Sequence, residues 1–260
     1  MSRLESTFKA LRASGRKALV PYICAGDPSL EDTVPMMHAL VAGGADAIEL
    51  GMPFSDPMAD GPVIQRASER AIANGASLRF VLECVKAFRK DDDQTPVVLM
   101  GYANPVEYMG QEAFIAAARE AGADGILIVD YPFDEVPEFY EGVKKAGMDP
   151  IFLLAPTSAE KRVEQVCELA AGYLYYVSLK GTTGAGTLDI ESVRENIARI
   201  ERHAKCPVLV GFGISGPEAA REVAQACDGV IIGSALIKHV AAHKSEAAEA
   251  ARGWIAAIRQ

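Results

Sequence analysis

Two carboxylates lie close together in the sequence, Glu49 near the end of a predicted strand and Asp60 in the loop that follows it. The run 47–50 is apolar apart from Glu49, which predicts a buried strand. The prolines of the loop exclude both helix and regular strand. A desolvated carboxyl group has a raised pKa, which suits it for proton transfer near neutral pH. We therefore predict an acid–base pair here, with an ion-paired strand carboxylate and an ordinary Asp-Gly turn as the structural alternatives.

Glycine-rich turns follow the last two predicted strands, at 211–216 and 233–234. Glycines allow the backbone to approach an anion, and free amides at helix N-termini supply hydrogen-bond donors. The first turn also matches Gly-x-Gly-x-x-Gly, but a dinucleotide site needs an acidic residue about 20 positions later. This chain has Gly233 and Ser234 there. The turns therefore predict a phosphate site, with ordinary tight turns as the alternative.

The segment 179–189 is rich in glycine and threonine and follows the sixth predicted strand. This composition predicts a lid over a bound ligand, with Thr183 and Gly184 as its contact points, and a plain connector is the alternative. Bulky residues at the ends of other strands predict an apolar wall for a flat part of the ligand, although core packing is their usual role. These residues are Tyr22, Met100, Tyr102 and Tyr175.

The elements that must position these residues alternate between short apolar strands and amphipathic helices. Ser2–Glu5 has the spacing of a capping box and opens an extra helix before the first strand. One helix-to-strand return is repeated at Gly44, Gly122 and Ala226. About eight strands, each followed by a helix, predict a (β/α)8 TIM barrel with an extra N-terminal helix. A doubly wound open sheet is the alternative, and we expect residues 1–260 to form a single domain.

The composition of the chain narrows the classes of function. Its 260 residues are 50% hydrophobic and carry a net charge of −9, which argues against nucleic acid as a partner. No apolar run reaches the ~18 residues of a membrane span, and the start lacks a signal-peptide pattern. We therefore expect a soluble, cytoplasmic protein with no membrane partner. The 5 dispersed cysteines and 4 histidines lack ligand spacings, which predicts reduced, mostly buried thiols and no metal site.

The stretch 49–62 closely resembles the signature of the tryptophan synthase alpha chain family. The segments 100–105, 181–185, 211–214 and 233–234 are similar to other motifs of that family, so the likeness spans nearly the whole chain. The resemblance implies a lyase of tryptophan biosynthesis, which cleaves indole-3-glycerol phosphate to indole and D-glyceraldehyde 3-phosphate. It implies that Glu49 and Asp60 are the catalytic residues. It also implies a phosphate site formed by Gly184, Phe212, Gly213, Gly233 and Ser234.

Two acids suit the chemistry of this reaction. The bond from indole C3 to the glycerol chain breaks once C3 is protonated, and Glu49 can deliver that proton and then accept one from the glycerol hydroxyl. Asp60 can stabilise the positive N–H side of the ring. Because the ring is its own electron sink, no cofactor is expected in this chain. Two other functions stay open: a non-catalytic phosphate-binding subunit that activates a partner enzyme, and another phosphate-handling barrel lyase or isomerase.

The resemblance also implies a partner, the tryptophan synthase beta chain, which would carry pyridoxal phosphate in an α2β2 heterotetramer. Rigid apolar groups around the barrel mouth support such a docking surface, with loop packing as the alternative. The residues expected at this interface are Pro53, Phe54, Asp56, Pro57, Asn104 and Pro132. One departure from the family is the pair Leu179-Lys180, where many relatives carry an arginine. This departure weakens the expectation of a charge-assisted lid closure.

Overall fold

The computed structural model of the chain describes residues 2–178, 190–211 and 213–259. Its strands are β1 (Ala18–Cys24), β2 (Ile48–Gly51), β3 (Val97–Gly101), β4 (Gly125–Ile128), β5 (Asp149–Pro150), β6 (Phe152–Leu154), β7 (Leu174–Val177), β8 (Val208–Gly211) and β9 (Gly229–Ile232). They form one parallel sheet in the order β5-β4-β3-β2-β1-β9-β8-β7-β6. Ile151 alone separates β5 from β6, which pair with β4 and β7 respectively. The sheet is therefore a nearly closed barrel, and the predicted TIM barrel is confirmed.

The helices lie between successive strands as the sequence pattern predicts, except that two helices connect β2 to β3, two connect β3 to β4, and none separates β5 from β6. They are α1 (Arg3–Ala13), α2 (Thr33–Ala42), α3 (Pro62–Ala73), α4 (Leu78–Phe88), α5 (Ala103–Met109), α6 (Gln111–Ala121), α7 (Pro137–Lys145), α8 (Glu160–Leu169), α9 (Ile190–Glu201), α10 (Pro217–Ala224), α11 (Ser234–Ala242) and α12 (Ala247–Arg259). A 3-10 turn at Lys244–Glu246 links the last two helices. α1 is the predicted extra helix, and the Ser2 hydroxyl caps it by accepting a hydrogen bond from the Glu5 amide at 3.1 Å.

The core has two layers because residues of the strands alternate between the barrel interior and the surrounding helices. The interior layer includes Val20, Val98 and Leu209, and the apolar face of α1 packs against it through Leu4 and Phe8. Each such side chain contributes about 1.5–3 kcal/mol when it is fully buried. α1 therefore covers the amino-terminal end of the barrel, and the carboxyl-terminal end is left for the site.

The repeated helix-to-strand return carries an aspartate at the same place in each copy. Each of these aspartates accepts a hydrogen bond from an amide of the neighbouring strand: Asp46 from Leu19 at 2.8 Å, Asp124 from Val97 at 2.8 Å and Asp228 from Val208 at 3.0 Å. The backbone amide of each aspartate donates in return to the carbonyl of the same strand residue. The repeat is thus a reciprocal clamp between adjacent strands at the amino-terminal end of the barrel.

Arginines surround the aspartates of these clamps. The ion pairs are Arg3–Asp124 at 2.8 Å, Arg89–Asp124 at 2.7 Å, Arg16–Asp46 at 3.2 Å, Arg259–Asp46 and Arg12–Asp228 at 3.5 Å. Several of the arginines come from α1 and from the C-terminal end of α12. The clamps therefore also attach the two terminal helices to the barrel.

Other features bear on the predicted classes of function. No helix in the described part of the chain is both long and apolar enough to cross a membrane. Within the same residues, no group of three or more His, Cys, Asp or Glu side chains could hold a metal ion. All five cysteines are free, and only Cys206 is not fully buried, which confirms the prediction of unpaired, mostly buried thiols.

Candidate active site

Glu49 lies on β2 and faces the interior of the barrel. Its neighbours Ile48 and Leu50 pack into the outer layer, so the side chain between them points inward. The carboxyl group is 0% exposed, and this burial raises its pKa to about 8. The Tyr173 hydroxyl donates a hydrogen bond to Oε1, which opposes the rise without cancelling it. Oε2 is buried and has no hydrogen-bond partner among the described residues. Glu49 is therefore largely protonated at neutral pH.

Asp60 lies in the loop after β2 and is held by Tyr102 of the next strand connection. The Tyr102 hydroxyl donates to Oδ2 at 2.8 Å and accepts a hydrogen bond from the Ala59 amide at 3.2 Å. The Gln65 side chain donates to the Asp60 carbonyl at 2.7 Å and fixes the loop to α3. Burial raises the pKa of Asp60, and the hydrogen bond from Tyr102 lowers it in part. Tyr102 thus contributes its hydroxyl as well as the ring that the sequence predicts.

The rings of Tyr22 and Tyr175 connect the two acids. Burial raises the pKa of both tyrosines, and the charges of Asp60 and Glu49 raise it further. Each of the two carboxyl groups thus interacts electrostatically with both phenol groups. The parallel register places Tyr22 beside Glu49, and half-buried Met100 packs in the same cluster as Tyr22. Together with Tyr102, the predicted residues Tyr22, Met100 and Tyr175 are thus grouped around the acids.

The predicted phosphate turn at Gly233 and Ser234 lies next to this group. Gly233 precedes α11 and accepts the hydrogen bond from the Ile237 amide, so the earlier amides of the helix have no intrahelical partner. A Cβ atom on Gly233 would lie 3.2 Å from the Tyr22 ring. Gly213 has a φ of 76°, in the left-handed region that favours glycine. Its exposed backbone is open to a ligand.

Some predicted residues cannot be placed in this site. Thr183, Gly184 and Phe212 lie outside the described residues, as do the predicted lid at 179–189 and its Leu179-Lys180 pair. Their roles stay predictions.

Tyr173 is the residue of this site that the sequence analysis missed. It directly precedes β7, is fully buried, and donates to Glu49 from a position 124 residues away in the chain. Tyr173 is two positions before Tyr175, so the period of a strand places both on the same inward face. That spacing was the available signal, but nothing in the sequence shows that β7 faces β2 across the barrel.

Comparison with known proteins settles the family. The profile of the tryptophan synthase alpha chain family matches residues 8–259. The chain is 61% identical to a tryptophan synthase alpha chain from Azoarcus sp., over 92% of this chain and 89% of that one. It is 57% identical to one from Ralstonia nicotianae, over 100% and 98% of the two chains. The chain belongs to the tryptophan synthase alpha chain family.

The solved structures agree with this family. The crystal structure of tryptophan synthase subunit alpha from Legionella pneumophila superposes with a TM-score of 0.94 at 44% identity, covering 100% of this chain and 98% of that one. The predicted resemblance is confirmed, as is the predicted function. The chain is a lyase of tryptophan biosynthesis that performs the alpha reaction, the cleavage of indole-3-glycerol phosphate. A reaction without a cofactor in this chain is consistent with the family.

The residues predicted to contact a tryptophan synthase beta chain differ in how much surface they offer. Pro53 and Pro57 are buried within the loop, so their main role is to pack it. Phe54 is half-buried, and its ring lies 5.6 Å from that of Tyr102. The predicted contact residues that remain on the surface are Asp56, Asn104 and, in part, Pro132. The buried prolines support the loop-packing alternative for themselves but not for the other residues.

Proposed function

We propose that the alpha reaction runs on Glu49 as the proton donor and acceptor and on Asp60 as the stabiliser of the ring nitrogen. The carboxyl proton of Glu49 moves to indole C3, and the ring becomes a cation with its charge centred on the N–H group. The carboxylate of Asp60 accepts a hydrogen bond from that N–H group. The Glu49 carboxylate then removes the proton of the glycerol hydroxyl beside the bond. The bond to C3 breaks, its electron pair restores the indole ring, and the chain leaves as the aldehyde.

The state of the Glu49 carboxyl group is the observation that carries this proposal. Burial raises its pKa to about 8, so the free enzyme holds the proton at neutral pH. Oε1 accepts the hydrogen bond from Tyr173, which leaves the proton on Oε2. Oε2 is buried and has no hydrogen-bond partner among the described residues, so its hydrogen-bonding capacity is unused. A general acid with its pKa near the working pH is the most effective kind, and such a role is typically worth 10²–10⁴-fold in rate.

The phosphate of the substrate would bind at the start of α11. The unpaired amides there and the dipole of the helix favour an anion. Gly233 and Ser234 would provide the closest backbone, and Gly213 would approach from the turn after β8. Thr183, Gly184 and Phe212 are proposed to complete the site. Because the chain has a net charge of −9, local amides and not long-range attraction must bind the anion.

We also propose that this chain docks on a tryptophan synthase beta chain, which would carry the pyridoxal phosphate, in an α2β2 heterotetramer. Large apolar side chains near the predicted contact residues support a docking surface. Met58 is 76% exposed and Tyr108 is 95% exposed, on the connections that follow β2 and β3. Exposed aromatic residues of this kind are enriched at interfaces. Adding beta chain should increase indole formation, and sedimentation of the mixture would give the stoichiometry.

The proposal extends to the domain organisation and the cellular location of the protein. Residues 1–260 form a single domain, which is supported by a barrel whose paired neighbours β1 and β9 come from opposite ends of the chain. The protein works in the cytoplasm, which is supported by its biosynthetic reaction and its free cysteines.

Indole release from indole-3-glycerol phosphate by the purified chain tests the roles of the two acids. Glu49→Gln and Asp60→Asn should each lower kcat by about 10²–10⁴-fold. Glu83→Gln is the matched control, because Glu83 is exposed on α4. Wild-type turnover in Glu49→Gln would reject the mechanism. Phosphate-analogue binding without any indole release by the wild type would instead favour a non-catalytic binding subunit.

A further inference from the structure

Tyr22 extends from the phosphate turn to the end of the strand that carries Glu49. A Cβ atom added to Gly233 would lie 3.2 Å from Cδ1 of the Tyr22 ring. A Cβ atom added to Gly51 would overlap the Tyr22 hydroxyl oxygen, so this hydroxyl rests directly against the backbone of β2. The side chain therefore lines the whole path between the two ends of the site.

Tyr175 makes the corresponding contact on the other side of the barrel. Its hydroxyl rests against Gly211 of the adjacent strand β8, as that of Tyr22 rests against Gly51 of β2. Both side chains are almost fully buried, at 7% and 8% exposed. In each case glycine on the neighbouring strand leaves room for the phenol group to reach inward. The two tyrosines thus make equivalent contacts with glycines of the adjacent strands.

The Tyr22 hydroxyl has no hydrogen-bond partner among the described residues. Across residues 2–178, 190–211 and 213–259 it makes no hydrogen bond to a side chain or to the backbone. The buried side-chain atoms that lack a partner in this part of the chain belong to Glu49 and Arg199. The Tyr22 hydroxyl is not one of them, so it keeps some accessible surface.

The hydroxyl is a hydrogen-bond donor throughout the physiological pH range. Burial raises the pKa of Tyr22 well above its ordinary value, and the charges of Cys24, Asp60, Tyr102 and Glu49 add to this effect. The neutral phenol can donate one hydrogen bond and accept others. A donor in such a largely buried position gains from a ligand that supplies the missing acceptor.

We propose that the Tyr22 hydroxyl donates a hydrogen bond to a hydroxyl group of the glycerol chain of the substrate. This inference rests on the proposed function, in which the phosphate binds at Gly233 and indole C3 meets Glu49. The glycerol chain joins the phosphate to C3, so it must run along the side of Tyr22. Tyr22 is therefore a substrate-binding residue that recognises the polar part of the ligand, whereas the sequence predicts only an apolar wall.

Tyr22→Phe tests this proposal, because it removes the hydroxyl and keeps the ring. The probes are indole-3-glycerol phosphate and indole-3-propyl phosphate, which has the ring and the phosphate but no glycerol hydroxyl. We expect kcat/KM for the first to fall about 3- to 10-fold, which is the effect of one hydrogen bond between neutral groups. The inhibition constant of the second should stay the same. Tyr176→Phe is the control, since Tyr176 is a buried tyrosine in the outer layer and should change neither value.

Three results would overturn the proposal. Equal losses for both ligands would mean that the hydroxyl supports the shape of the cavity. Unchanged kcat/KM would mean that the hydroxyl contacts nothing on the substrate. A shifted pH profile of kcat/KM in Tyr22→Phe would mean that Tyr22 acts through Glu49. The inhibition constant is measured without turnover, so a failure of the proposed roles of Glu49 and Asp60 would appear in Glu49→Gln alone.

Discussion

At the amino-terminal end of the barrel Asp124 lies between Arg3 and Arg89, whereas among the described residues the hydrogen-bond partner of Glu49 at the carboxyl-terminal end is a tyrosine hydroxyl. Both carboxyl groups are buried. Asp124 also accepts a hydrogen bond from the Val97 amide, so its two oxygens are fully engaged. Within the described part of the chain, Oε2 of Glu49 has no hydrogen-bond partner.

The comparison shows that neighbours, and not burial alone, decide what a buried carboxyl group does. Arginines compensate the charge of Asp124, and the group is then a fixed part of the structure. No arginine compensates Glu49, so the protein keeps it protonated, with a pKa of about 8. A group that holds a proton at neutral pH, with one free oxygen, can give that proton to a substrate. The carboxyl group at the amino-terminal end thus suits a structural role, and the one at the carboxyl-terminal end suits proton transfer.

Among the variants proposed here, Asp124→Asn should lower the free energy of unfolding the most. The substitution leaves the guanidinium of Arg89 buried without its charge partner, and such a loss typically costs about 3–5 kcal/mol. Urea denaturation would measure the free energy of unfolding. The kcat of the folded variant should match the wild type. Asp91→Asn, at an exposed position, is the control, and equal stability of the two variants would contradict the structural role of Asp124.

Glu49→Gln should stabilise the protein at alkaline pH. The pKa of Glu49 is about 8 in the folded chain, against 4.5 for an ordinary glutamate. Between these values the folded state binds a proton that the unfolded state does not, so the stability of the wild type falls as the pH rises through this window. The variant lacks this loss, and its advantage should grow to on the order of 4 kcal/mol at about pH 8 and above. Denaturation midpoints for both proteins across this range would measure it. A constant difference would show that Glu49 is ionised in the folded state.

Tyr102→Phe should change the pKa of Asp60. Its hydrogen bond lowers the pKa of Asp60, so removal should raise that pKa and move the acidic limb of the kcat/KM profile to higher pH. At neutral pH we expect kcat/KM to fall about 10- to 100-fold, as for the loss of one hydrogen bond to a charged group. An unchanged acidic limb would mean that Asp60 is not the group that titrates there.

Arg12→Ala should have the smallest effect. The Arg12–Asp228 pair is long, at 3.5 Å, and the arginine is mostly exposed, so its contribution should be below about 1 kcal/mol. Thermal unfolding of this variant and of Asp124→Asn would show whether the loss of stability increases with the burial of the ion pair. A loss as large as that of Asp124→Asn would show that burial does not set their strength.

The sequence predicts the barrel because its strands are continuously apolar and each is followed by a helix. It also predicts both acids, since their positions at a strand end and in the next loop are local features. Some helix boundaries are harder to predict. The prolines of the loop after β2 predict irregular structure through Pro62, yet Pro62 opens α3, where its fixed φ suits the first helical turn. The pattern over 236–258 predicts one helix, but a 3-10 turn divides it into α11 and α12.

The partners of the carboxyl groups could not be predicted, because they are distant in the chain. Tyr173 is 124 residues from Glu49, and Arg3 is 121 residues from Asp124. The aspartate of each repeat is visible in the sequence, but whether arginines surround it depends on how the terminal helices pack. The position of Tyr22 is hidden in the same way, because its hydroxyl lies against Gly51 of β2 and its ring lies against Gly233 after β9.

Carbon-13 NMR of the glutamate side-chain carboxyl groups would show directly whether Glu49 holds a proton at neutral pH. The Glu49→Gln variant would assign its signal. We expect one glutamate signal that titrates near pH 8 and is absent from the variant. If the signal that disappears in Glu49→Gln titrates instead at the ordinary acidic pKa of a glutamate, Glu49 is ionised at neutral pH and cannot be the proton donor proposed here.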